Sequence, residues 1–282
     1  MTKATRRSPA VAGMFYPSNP GELRTALDQS FRNQKFGPGM PPPTMTERKI
    51  YGMVTPHAGY MYSGAVAANG YYQISAHDFS NAVIVGPNHY GIGAGVATMK
   101  DGVWETPLGQ VEVNGSWAQG MAKRSGVVDF DDMAHSRDHC LEVQLPFLQY
   151  IRDQFTIVPV ILMMQDIDTA FDLGKAIADT VAESDDTVLI ASSDLTHYEP
   201  NESAHKKDNE LIGAMLELDV PKFYSVLERM DVSACGYGAI ASIMVAAKSL
   251  GATKGELLKY ATSGDVTGDT GAVVGYSSVV FV

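Results

Sequence analysis

Cysteine is scarce in this chain, with only Cys140 and Cys235 in 282 residues. Two thiols exclude a disulfide framework, and the seven histidines come with no CxxC pair, which excludes the common zinc-finger patterns. Neither GxxxxGK[ST] nor GxGxxG occurs, although the stretch "GDVTGDTGAVVGYSS" is rich in glycine, so nucleotide binding through those loops is excluded. Basic charge is also short: 21 Lys and Arg against 32 Asp and Glu leave a net charge of -11, and the only basic cluster is Lys3 with Arg6 and Arg7. Such a surface repels a phosphate backbone, and nucleic acid is not an expected partner. The longest apolar stretch, around "GAIASIMVAA", is about half of what a spanning helix needs, so no membrane span is expected. Proline and asparagine break "PAVAGMFYPSNP" before a secretory apolar region can form, and with free thiols this points to a reducing, cytoplasmic setting.

What is present is ordinary for a globular chain: 45% apolar and 19% charged residues, enough to bury a sizeable core. Residues 1–282 are expected to form one α/β domain. "SNPGELRTALDQSF" predicts a first helix, with Ser18 or Asn19 as cap, Pro20 in the first turn and Leu23, Leu27 and Phe31 at helical spacing. The Pro/Gly stretch "FGPGMPPPTMTERK" reads as a loop. Beyond it, the runs "IYGMVTP", "AVIVGP", "GVATMK", "TIVPVILMM", "TVLIASS", "ELLKYATSG" and "AVVGYSSVVFV" predict strands, alternating with helical segments such as "CLEVQLPFLQYIRDQ" and "YGAIASIMVAAKSLGA". Several of these runs are continuously apolar, as strands covered by helices on both faces are, so a three-layer α/β/α architecture is expected.

Three apolar runs end in a histidine: "YGMVTPHAGY", "NAVIVGPNHYG" and "VLIASSDLTHYEP". In open α/β sheets ligands bind beyond the carboxyl ends of strands, and His57, His89 and the pair Asp194/His197 each fall there. His57 and His89 lie 32 residues apart, a fitting length for one strand-helix-strand unit, so their strands are candidates for neighbours. Two imidazoles plus one anionic ligand would hold iron, copper, zinc or nickel with positions left open, and Asp194 or Cys235 could supply the anion. Cys235 precedes a small-residue helix whose N-terminus favours a thiolate, and Gly236 and Gly238 would allow close backbone approach. His139 and Glu142, three apart, share a face of the helix in which Cys140 is expected to sit. His77, His135 and His205 read as loop or helix-start residues, and the tyrosines flanking the histidines, Tyr60 and Tyr90, as packing.

"AGMFYPSNPGEL", "TPHAGYMYSG", "VGPNHYG", "DHCLEVQLPFLQ", "SSDLTHY" and "SACGYGA", in this order, resemble the Memo family, whose members share the fold of the class III extradiol ring-cleaving dioxygenases. The resemblance implies a central mixed sheet flanked by helices, with one deep pocket. It further implies His57, His89 and Cys235 as metal ligands, with His197, Asp194 and His139 as the catalytic groups of the pocket. Fe(II) is the metal implied first and copper second. Cysteine replaces the glutamate ligand of the dioxygenases, and this chain has "DHC" where the family commonly has "EHS". Prokaryotic members resemble one part of an association with a radical SAM protein and an AMMECR-type domain.

The leading expectation is oxygen-dependent redox chemistry on a small phenolic substrate, with His197 shuttling a proton and Asp194 orienting it. A second reading is a binding or scaffold protein whose relic pocket takes a peptide or a partner's side chain. A third is a cysteine hydrolase in which His57 or His197 activates Cys235.

Overall fold

Continuously apolar runs become the centre of the sheet, and the alternation of their side chains between two faces builds two cores. A computed structural model describes residues 5–43 and 48–282; Lys3 and residues 44–47 of the Pro/Gly loop lie outside it. Its strands are β1 (Arg6–Arg7), β2 (Gly52–Thr55), β3 (Asn81–Pro87), β4 (Val96–Thr98), β5 (Val103–Thr106), β6 (Gly109–Val113), β7 (Val128–Phe130), β8 (Thr156–Leu162), β9 (Thr187–Ser192), β10 (His197–Glu199), β11 (Gly255–Thr262) and β12 (Val273–Phe281). Its α-helices are α1 (Pro20–Arg32), α2 (Tyr60–Ser75), α3 (Gly115–Arg124), α4 (Leu145–Ile151), α5 (Ile167–Val181), α6 (Asn201–Leu216), α7 (Val220–Met230), α8 (Tyr237–Leu250) and α9 (Ser263–Thr267).

The strands form one sheet in the order β1-β5-β6-β8-β3-β9-β2-β12-β10, with β11 on β12 and β4 on β8. Strands β8, β3, β9 and β2 run parallel, whereas β12 is antiparallel to β2 and β11 to β12, so the sheet is mixed. Along β3, Val83 and Val85 join the core under α3, α5, α6, α7 and α8, while Ala82 and Ile84 join the core under α1, α2 and α4. β9 divides in the same way, with Leu189 and Ala191 on one side and Val188 and Ile190 on the other. These strands have no polar face because neither face meets water. The expected α/β/α layering is therefore present.

Helix α1 starts as its sequence dictates: the Asn19 side chain accepts from the Gly21 and Glu22 amides, Pro20 occupies the first turn, and Leu23, Leu27 and Phe31 are buried. The segment around Cys140 differs from expectation. Residues Glu142–Gln144 form a single 3-10 turn and α4 begins only at Leu145, with Pro146 in its first turn, so Cys140 precedes the helix. Strands β1, β5, β6, β7 and β10 and helices α3 and α9 were not foreseen. Most are two to five residues long, too short for a periodic pattern to emerge.

The topology also alters how the histidine-bearing strands meet. β2 and β3 are not neighbours; β9 lies between them. Register places Thr55 beside Ser192 and Val85 beside Ala191. All three strands end at one edge, with the Asp194 loop between His57 and His89.

Candidate metal centre

His57 leaves the end of β2 almost fully buried, at 2% exposure. Its backbone amide donates to Asp194 Oδ1 at 2.9 Å, its Nδ1 lies 3.0 Å from Ser192 Oγ, and its Nε2 lies 3.1 Å from Cys235 Sγ. Cys235 stands in the turn before α8, where Asp194 N donates to its sulfur at 3.3 Å. That turn comes so close to β9 that a Cβ on Gly236 would lie 2.6 Å from the Ser192 carbonyl oxygen. Only glycine permits the approach. Gln165 clamps the same turn, donating to Cys235 O at 2.9 Å and accepting from Gly238 N at 2.8 Å.

His89, beyond β3, is the most open of the three donors. Asp138 holds it twice: Oδ2 accepts from the His89 amide at 2.6 Å and Oδ1 lies 3.0 Å from Nδ1. A carboxylate at Nδ1 places the ring proton there and leaves the Nε2 lone pair free. His139 stacks on His89 with centroids 4.6 Å apart, and His57 meets both rings edge-on at 5.2 and 5.3 Å. Donor atoms of His57, His89 and Cys235 all lie within 4.8 Å of one another, and those of His89, Asp138 and His139 form a second such group. The first group is the better cradle, because the Asp138 carboxylate is already spent on His89. Two imidazoles and a thiol sulfur at this spacing suit a late first-row metal ion.

Burial dominates the electrostatics of the cluster. Burial and the neighbouring His89 hold His57 well below the usual imidazole range, so its ring is neutral. Burial, with His57 and His89, lowers His139 to about 3. Burial alone would raise Asp138, but its hydrogen bond to His89 and the amides of Cys140 and His89 outweigh that and hold it ionised. Burial and the Asp194 carboxylate push the Cys235 thiol up, so the free protein keeps it protonated. This weighs against the hydrolase reading: the Cys235–His57 contact has the geometry of a dyad, but the sulfur is not a preformed thiolate.

The remaining candidates separate clearly. Asp194 is buried and anchors the His57 backbone rather than orienting His197, whose Nδ1 lies 2.7 Å from Leu195 O and 2.9 Å from Ser233 O. Facing two acceptors, that nitrogen carries the proton. His197 heads the short β10, and Tyr198 beside it takes a left-handed φ of 58° with its ring 78% exposed. Glu142 turns away from the cluster into an ion pair with Arg7 and accepts from Ala10 N, Val11 N and Tyr16 Oη. Cys140 is buried, donates to Pro87 O at 3.1 Å and has its thiol pushed up by burial, as an inert packing residue does. Tyr60 packs in the core as expected, whereas Tyr90 is exposed. His135 is not a surface residue but fully buried against Trp104. Asp138, Ser192 and Gln144 were missed; the only signal for Asp138 was its place beside His139 in "DHC".

Fold and site together define a mixed α/β protein with a two-histidine, one-cysteine metal-capable centre at the carboxyl edge of its parallel strands. The chain matches the family described as Memo-like protein over residues 7–280. It is 50% identical over 277 residues to a MEMO1 family protein of Nitrosopumilus maritimus, covering 98% of this chain and 99% of that one. It is 49% identical to a MEMO1 family protein of Methanopyrus kandleri, with 98% of each chain covered. This chain belongs to the Memo family. Among solved structures, an uncharacterized protein JW3007 from Escherichia coli K12 superposes with a TM-score of 0.54 at 14% identity, over 81% of this chain and 98% of that one. At that identity the likeness is one of fold.

Proposed function

We propose that this is a metal-dependent redox protein in which His57, His89 and Cys235 hold one iron or copper ion against a small phenolic ligand. The observation that carries the reading is the convergence of two imidazole nitrogens and one sulfur on a common point, each held by its own partners. A thiolate in place of a carboxylate softens the donor set and draws the preference from Fe(II) toward copper. An ion held by these three residues would supply redox chemistry with oxygen.

The chain's own residues do the rest. Loading the site displaces the Cys235 thiol proton now shared with His57 Nε2 at 3.1 Å, so binding is coupled to proton release. His197, with Nδ1–H held by two carbonyls, offers Nε2 to take a proton from a ligand hydroxyl; His139, stacked on His89 and lowered to about 3, can accept a hydrogen bond from that hydroxyl but not keep its proton. Tyr90 and Tyr198 stand exposed next to His89 and His197, where their rings can stack on an aromatic ligand. The test is metal content after anaerobic purification, followed by oxygen consumption with a panel of catechols. One iron or copper per chain with catechol-dependent oxygen uptake supports the proposal. A stoichiometric metal with no uptake removes the phenolic chemistry, and a chain that takes up neither ion removes the metal reading and favours a scaffold role.

A further inference from the structure

We infer that Phe15, in the segment before α1, is the positioning residue of His139 and holds its ring against His89. The placement stands on geometry, and only its consequence for a ligand rests on the proposed function. His139 is the least tethered group of the cluster. Ser192 bonds His57, Asp138 bonds His89, and two carbonyls hold His197. The ring of His139 has no hydrogen bond to any described residue: its Nδ1 stands 3.8 Å from Asp138 Oδ1, beyond hydrogen-bonding reach. Its main chain is tied, with the carbonyl accepting from Val143 N at 3.0 Å, but that bond does not choose a rotamer. Ring contacts alone set the side chain. Of the three described rings that touch it, His57 at 5.3 Å and His89 at 4.6 Å belong to the centre, and Phe15 at 4.5 Å alone comes from outside it.

Phe15 is itself fixed through its backbone. Its amide donates to Val11 O at 2.9 Å, and its carbonyl accepts at 2.8 Å from the amide of Tyr60, the first residue of α2. The turn is tight: Met14 N also donates to Val11 O, and Gly13, with a left-handed φ of 85°, donates to Tyr16 O at 2.7 Å. Glu142 secures both flanks, accepting from Ala10 N and Val11 N on one side and from the Tyr16 hydroxyl on the other. Both main-chain groups of Phe15 are engaged whatever side chain stands there. A substitution therefore removes the ring and leaves the turn in place.

Without an aromatic side chain at position 15 the His139 ring gains room to turn, and Asp138 Oδ1 is the carboxylate oxygen within its reach. A ring that leaves His89 no longer offers its lone pair to a ligand hydroxyl. The variants are Phe15→Leu, which keeps apolar bulk without a ring face, and Phe15→Tyr, which keeps the face; Phe15→Met replaces the first should it fold poorly. Proton cross-relaxation between the His139 and His89 rings in the metal-free protein reports whether the two stay stacked. Catechol titration of the zinc-loaded chain, with an ion that has no redox chemistry, reports the consequence. We expect the cross-relaxation in the unsubstituted protein and in Phe15→Tyr, and its loss in Phe15→Leu. Catechol affinity should fall in Phe15→Leu by about 2- to 10-fold, the worth of one hydrogen bond, and hold in Phe15→Tyr. Cross-relaxation that persists in Phe15→Leu overturns the inference, as does its absence from the unsubstituted protein or its loss in Phe15→Tyr. If the rings separate as stated but the unsubstituted protein binds no catechol, Phe15 keeps its role and the phenolic reading fails instead.

Discussion

Two buried polar clusters begin three residues apart in the chain, and they are opposites. Around Glu142 every group is matched: its carboxylate accepts from Arg7, two backbone amides and the Tyr16 hydroxyl, and Arg7 donates in turn to His135 O, Ser8 O and Asp138 O. Around His139 three imidazole rings and a thiol kept protonated by burial face one another, with the Asp194 amide donating to the sulfur. The first cluster is closed and ties the N-terminal segment to the body of the fold. The second is held rigidly from behind, by Ser192 at His57 and Asp138 at His89, and left open in front. A closed cluster secures structure; an open one with fixed backs is what a ligand-binding centre requires.

The contrast is broken most strongly at Glu142. Glu142→Gln leaves the Arg7 charge buried without its partner and should cost about 3–5 kcal/mol in denaturant unfolding, while the folded fraction still takes up one metal per chain. A loss of metal uptake without loss of stability would reverse the roles assigned to the two clusters.

Next is acid. Burial, reinforced by the Arg7 charge, lowers His135 from 6.5 to about 4 in the folded chain, and both its ring nitrogens lack partners. Between those values the unfolded chain binds the proton and the folded chain does not. Stability should therefore fall as pH drops from 6.5 toward 4, by on the order of 3 kcal/mol for this residue, and level off below. His135→Phe keeps a ring against Trp104 and should flatten that part of the slope; an unchanged slope in urea melts across the window refutes the assignment.

Cys235→Ser should separate binding from folding. Its unfolding free energy should change by less than about 1 kcal/mol, because the volume is nearly kept, whereas copper affinity should drop by more than about 100-fold. Equal affinity in the serine variant would make Cys235 a packing residue. The smallest effect belongs to His205, which pairs with Asp265 at 3.1 Å away from the cluster. His205→Ala should leave metal content as it is, and a change there would show that the centre extends further than its described neighbours.

The parts of this picture that sequence made visible are those with local signatures. Apolar runs revealed the strands, and a histidine just past each run marked the edge where loops converge. The cysteine before a small-residue helix was visible for the same reason. What stayed hidden was set by distance along the chain. Nothing near "SRDH" says that Asp138 reaches back 49 residues to His89, and nothing in "LEVQLPF" says that Gln144 reaches Ser192. The same gap hid the partner of Glu142: Arg7, read only as part of the one basic cluster, is 4% exposed and pairs with it. Strand order was hidden too, since the crossover that inserts β9 between β3 and β2 depends on contacts more than 100 residues apart. Supporting residues of a site are read from its packing, and its donors from its motifs.

The central claim is that one ion sits between two imidazole nitrogens and one sulfur. X-ray absorption on protein loaded with a single equivalent of copper or iron under anaerobic conditions tests it directly. For an ion of about the size of zinc the account predicts one sulfur scatterer at about 2.3 Å and two nitrogen scatterers at roughly 2.0–2.1 Å, with the sulfur shell lost in Cys235→Ser. A first shell of nitrogen and oxygen alone in the unsubstituted protein would contradict it.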